Sequence, residues 1–133
     1  MTEIRPFHGI RYNEKLIPEI SSVICPPYDI ITSELALELN QRSNHNFVRI
    51  EHGQDLPSDN DKDNKYTRSA EEFEQWLSEE ILKREKLPAI YLHHHLFRYQ
   101  GKEYLRRGII AAVKLEDWDK MIIRPHESTR GKP

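Results

Sequence analysis

Three short runs carry residue types at spacings that chemistry uses. The first is Cys25-Pro26-Pro27-Tyr28-Asp29. Consecutive prolines fix φ and hold the chain extended, so Tyr28 and Asp29 stand on a stiff support. Asp29 suits an acceptor or general base, and Tyr28 a stacking surface or donor. The competing use is a rigid turn in which Asp29 helps cap the next helix. Cys25 as a nucleophile would need a neighbouring base and a lowered thiol pKa; a small buried core residue is the simpler role.

The second run, Pro125-His126-Glu127-Ser128-Thr129, gathers an imidazole, a carboxylate and two hydroxyls. These types serve general acid–base work or the binding of phosphate and metals. The third is His93-His94-His95. In a strand His93 and His95 share a face and form a metal-ligand pair, while His94 points away. Neither a cysteine nor a carboxylate stands at an accompanying ligand spacing, although a hairpin would carry Glu103 to the facing strand, and a merely polar strand face is the competing use.

These groups need elements to hold them. Thr32 or Ser33 is placed as an N-cap, with Glu34 in the first turn and Leu35, Ala36 and Leu39 behind, which predicts a three-turn helix ending near Ser43-Asn44. Ser22 to Cys25 and Asn46 to Glu51 read as strands, the latter with Phe47 and Arg49 on one face and Val48 and Ile50 on the other. Residues 52–64 read as a mobile loop. Tyr66, Ala70, Phe73, Leu77 and Ile81, with Trp76 beside them, predict an amphipathic helix over 65–83. Residues 89–99 and 103–116 read as a hairpin around Gln100-Gly101-Lys102, and Met121 to Ile123 as a final short strand. The class is α+β (or α/β): a mixed sheet with a hairpin in the C-terminal half and two main helices packed on it.

Composition bounds the rest. At 133 residues, length predicts a single domain. An apolar fraction of 37% against 32% charged residues predicts a thin core under a solvated surface. Twenty basic and twenty-two acidic residues give a net charge of −2, so no nucleic-acid partner is expected. One cysteine cannot form an internal disulfide. The N-terminus lacks the apolar core of a secretory signal, and no apolar run approaches the ~20 residues a bilayer requires. A cytoplasmic protein without a membrane partner is expected. The acidic loop lacks the glycine-centred calcium pattern, and neither a phosphate-binding glycine loop nor a nucleophile elbow occurs. The polar ending from Arg124 to Pro133 reads as a cut loop, which suggests the N-terminal portion of a longer protein.

Taken in order, Ile4-Arg5-Pro6-Phe7, Pro26-Pro27-Tyr28-Asp29, Asn46-Phe47-Val48-Arg49 and Pro125-His126-Glu127-Ser128-Thr129 resemble the N-terminal part of domain-of-unknown-function family 1015. So do Tyr66 with Ala70, Trp76-Leu77 and the glycine of Arg107-Gly108-Ile109. Longer members of that family carry an Asp-Gly-His-His-Arg motif similar to one in ParB-like free-serine kinases. The resemblance implies a nucleotide- or phosphate-ligand-binding, kinase-like enzyme for the full protein, with a nucleotide as cofactor or substrate. His93-His94-His95 lacks the preceding Asp-Gly and is no substitute for that motif. The residues expected to face a small-molecule ligand are Pro27, Tyr28, Asp29, Arg49, His126, Glu127 and Thr129. Of these Asp29, His126 and Glu127 are the catalytic candidates. The alternative is a non-catalytic interaction module, dimerising through a hairpin edge or an uncovered apolar face.

Overall fold

The computed structural model describes residues 2–124. They form two compact units, Ile10–Glu85 and the residues on either side of it. The class is α+β, and every strand pair among the described residues is antiparallel.

The central unit opens with β2 (Ile10–Tyr12), preceded in the chain by β1 (Ile4–Arg5). Strand β2 pairs with β3 (Leu82–Arg84), Ile10 opposite Arg84 and Tyr12 opposite Leu82, which ties the two ends of the unit together. Between them lie α1 (Ser33–Arg42), the single turn α2 (Val48–Glu51) and α3 (Lys65–Ser78). Helix α1 starts as its sequence dictates: Thr32 Oγ1 accepts the Leu35 N–H at 3.3 Å. Helix α3 begins on a capping box, with Asn64 Oδ1 accepting from Tyr66 and Thr67 and Thr67 Oγ1 accepting the Asn64 N–H at 2.9 Å. It stops at Ser78, short of the predicted Lys83, because the chain turns at Glu80 (φ 59°) into β3.

Two apolar clusters fill this unit. One joins Ile17, Val23, Trp76, Ile81 and Leu82, flanked by Tyr12, Phe47, Ile50 and Phe73; the other joins Ile31, Leu39 and Val48, flanked by Cys25 and Leu35. Tyr66 and Ala70 are exposed, so the apolar side chains that α3 turns to the core are Phe73, Trp76 and Leu77. The predicted strand over 46–51 is instead a turn leading into α2, and the predicted strand over 22–25 is absent: Ser22 ends a 3₁₀ turn over Ile20–Ser22, and the residues after it pair with no strand. Helical geometry puts Phe47 and Ile50 together in the first cluster and Val48 in the second, rather than alternating them. The acidic loop is pinned: Arg68 lies 2.8 Å from Asp59 and 2.9 Å from Asp63, and donates to the Gln54 carbonyl.

In the other unit β4 (Tyr91–Tyr99) and β5 (Lys102–Ile110) make the predicted hairpin. Its loop is two residues, Gln100 (φ 49°) and Gly101 (φ 76°), both left-handed as a type I′ turn demands. Lys102 belongs to β5, opposite Tyr99. Strand β6 (Ala112–Val113) pairs with β1, and Phe7 exchanges both backbone hydrogen bonds with Ala89 at 3.0 Å. The predicted strand at Met121 to Ile123 is absent; a 3₁₀ turn at Trp118–Lys120 ends at Met121 in the left-handed region. Among the described residues, no helix is long and apolar enough to cross a membrane.

Candidate functional site

The stiff segment Cys25 to Asp29 is set in place by Asn46. This side chain is fully buried. Its Nδ2 donates to the carbonyls of Ser22 (2.9 Å) and Ile24 (3.1 Å), while its Oδ1 accepts the Val48 N–H at 3.1 Å. The Phe47 N–H adds a bond to the Val23 carbonyl at 2.7 Å. Asn46-Phe47-Val48-Arg49 and Pro26-Pro27-Tyr28-Asp29 are therefore neighbouring parts of one built feature, joined through residues 22–25.

Beyond that anchor Pro27 is extended (φ −55°, ψ 145°) and caps a 3₁₀ turn over Tyr28–Ile30. Pro27, Tyr28 and Asp29 are all exposed. Neither Tyr28 nor Asp29 makes a side-chain hydrogen bond or ion pair with any described residue, so Asp29 does not cap α1; Thr32 does. Arg49 is half-buried in α2, with its guanidinium 3.9 Å from Glu72 and 3.4 Å from the Asn40 carbonyl, and its Nε has no acceptor among the described residues. No hydrogen bond or ion pair joins Arg49 to Asp29. The two candidates share a scaffold without sharing a contact.

Cys25 lies half-buried against the second cluster. Burial, and then the nearby Glu51 carboxylate, push its thiol up from the ordinary cysteine value, the reverse of what a nucleophile needs. Burial likewise raises the Tyr12 hydroxyl, which donates to the His45 carbonyl at 2.8 Å and is a structural group. His126, Glu127 and Thr129 lie outside the described residues.

The histidine run falls on β4 as predicted, His93 and His95 on one face with ring centroids 6.2 Å apart and His94 on the other. The register corrects one expectation. Glu103 stands opposite Arg98, 3.8 Å from it, while His93 and His95 face Gly108 and Arg106. Among the described residues no group of three or more histidine, cysteine or carboxylate side chains could hold a metal ion.

One feature escapes sequence inspection. Leu92 pairs directly with Ile109 and Leu96 with Leu105, on the His94 face of the hairpin. Their exposures are 78%, 62%, 62% and 47%, so this apolar face is open. The alternation that marks β5 as half-buried is legible; that its apolar side lacks a cover is not.

The chain belongs to the family described as protein of unknown function (DUF1015), whose model matches residues 4–133. No curated protein and no solved structure matches it.

Proposed function

We propose that this member of the DUF1015 family is an interaction module that associates with a second copy of itself through the hairpin. The carrying observation is the open face of Leu92, Leu96, Leu105 and Ile109. A two-stranded hairpin is at best marginal in water without a covered face; the two exposed apolar pairs flank the His94–Arg107 pair on that face, and exposed apolar side chains grouped in this way mark contact sites. A second copy offers the partner: a two-fold axis lays the Leu92–Ile109 pair of one hairpin on the Leu96–Leu105 pair of the other and brings the two His94–Arg107 pairs together at the axis, where their like charges oppose the association. Covering eight such side chains, four from each copy, is worth on the order of 10 kcal/mol, comparable with the ~4–15 kcal/mol lost on docking two bodies. The dimer is therefore weak and concentration-dependent. Sedimentation between low and high micromolar concentration should show a monomer–dimer equilibrium that Leu96→Asp abolishes. A strict monomer throughout would overturn the reading.

A second reading rests on the unengaged Tyr28 and Asp29, held on the Asn46-anchored segment. In it the chain is the N-terminal part of a longer cytoplasmic enzyme, kinase-like and binding a nucleotide or phosphate ligand, as the Asp-Gly-His-His-Arg motif of longer family members suggests. Neither nucleic acid nor membrane enters it. Thermal-shift titration with nucleotides, using the longest form of the protein, tests this. Asp29→Asn and Tyr28→Ala should each erase a ligand-induced rise in melting temperature while leaving the unliganded value in place; an undiminished rise in both variants removes these residues from the site.

A further inference from the structure

We propose that His93 and His95 form a two-histidine site for a borderline divalent metal ion, copper(II) or zinc, on the hairpin face opposite the one assigned to association. The donor set argues for the ion. Neither imidazole makes a hydrogen bond or ion pair with a described residue, both are exposed, and they stand at i and i+2 on one face of β4. Neutral imidazole suits copper, nickel and zinc, whereas calcium and magnesium ask for oxygen ligands. No aspartate or glutamate stands on this face of either strand.

The spacing fits. A ring nitrogen bound at about 2.0–2.1 Å places the ion about 3.2 Å from the ring centroid, so two rings sharing an ion lie about 5.2 Å apart at a tetrahedral angle and about 6.4 Å apart in line. The observed 6.2 Å falls within that span. A tetrahedral ion then asks for about 1 Å of approach, which rotation about the exposed side-chain bonds supplies.

The surroundings leave room for the ion. Opposite His93 stands Gly108, and nothing lies within 4 Å of the position a Cβ would take there. Opposite His95 stands Arg106, whose guanidinium lies over the Phe97 ring, 5.6 Å from its centroid, on the side away from His93. That cation keeps the affinity modest. With two protein ligands, one fewer than an open catalytic zinc site has, the remaining coordination positions belong to water or an external ligand.

Isothermal titration of the tag-free full chain with copper sulfate and zinc chloride, in a non-coordinating buffer, tests the assignment. The wild-type chain should bind one ion. His93→Ala and His95→Ala should each weaken it about tenfold or more, since even outer partners of metal ligands are worth that much. His94→Ala, on the other face, should leave affinity unchanged, and the copper complex should show nitrogen couplings in electron paramagnetic resonance that the double variant loses. A wild-type chain that binds no ion, a double variant with wild-type affinity, or equal losses in all three single variants would each overturn the proposal. Adding Leu96→Asp keeps the chain monomeric and separates this result from that of the association test.

Discussion

Replacing Asn46 with alanine would strand three backbone groups at once: the carbonyls of Ser22 and Ile24 and the N–H of Val48. Each buried polar group left without a partner costs about 1–3 kcal/mol. Ser22 and Ile24 are only partly covered, whereas Val48 is fully buried, so a loss of about 2–4 kcal/mol is expected in all. Urea unfolding at unchanged slope measures it. Asn46→Asp should cost no less, because a carboxylate cannot donate to the two carbonyls. Tyr28→Ala, at an exposed side chain without partners, should stay within about 0.5 kcal/mol. If Asn46→Ala proves as mild as Tyr28→Ala, the segment bearing Tyr28 and Asp29 is not anchored as described. Asn46 could be noticed in the sequence only as part of a motif. Its reach across more than twenty residues to Ser22 and Ile24 leaves no periodic trace.

At the scale of elements, what was legible is what local rules decide. Thr32 as N-cap, the apolar spacing that opens at Tyr66, and Gln100-Gly101 between alternating residues fix α1, the start of α3 and the hairpin. What failed depends on distant partners. Residues 46–51 have a strand-like composition, yet Asn46 turns them into a helical turn that serves two clusters, and four residues are too few for a helical period to show. The helical period overruns the end of α3 because Ile81 continues the apolar stripe from the bend before β3 rather than from the helix. Mobility was read into the acidic loop from composition, whereas Arg68 gathers it. Burial tends to raise the Asp59 carboxyl, but the hydrogen bond and charge of Arg68 prevail and hold it below the ordinary aspartate value. A carboxyl depressed on folding contributes stability that is complete above its unfolded pKa, about 3.9, and is lost as pH falls through the lower folded value. Denaturation midpoints taken from pH 6 down to pH 2 should fall more steeply for the wild-type chain than for Asp59→Asn. Parallel curves would mean that the Arg68 contact contributes nothing to folding.

Across the molecule, the buried apolar residues are unevenly shared. Ile17, Val23, Ile31, Leu39, Val48, Trp76, Ile81 and Leu82 all lie within Ile10–Glu85, and no other apolar side chain among the described residues is buried. That segment also closes on itself through the pairing of Ile10 with Arg84, so excision would cut beside a joined pair of strands rather than through a core. Charge is divided as well. Ile10–Glu85 holds nine basic and sixteen acidic residues, against an overall net charge of −2, so the excised piece should stay soluble without the open apolar hairpin. The whole-chain charge is a poor guide to either part: β4 and β5 carry Arg98, Lys102, Arg106 and Arg107 against Glu103 alone. A polypeptide of residues 10–85 is thus expected to fold by itself, with a helical circular dichroism spectrum and a single cooperative thermal transition, and to remain monomeric where the full chain associates. Residues 86–124 alone, whose hairpin has both faces in water, should show no cooperative transition. A non-cooperative melt of the 10–85 piece would mean that its two clusters need support from outside the segment, and the division drawn from the core would fail.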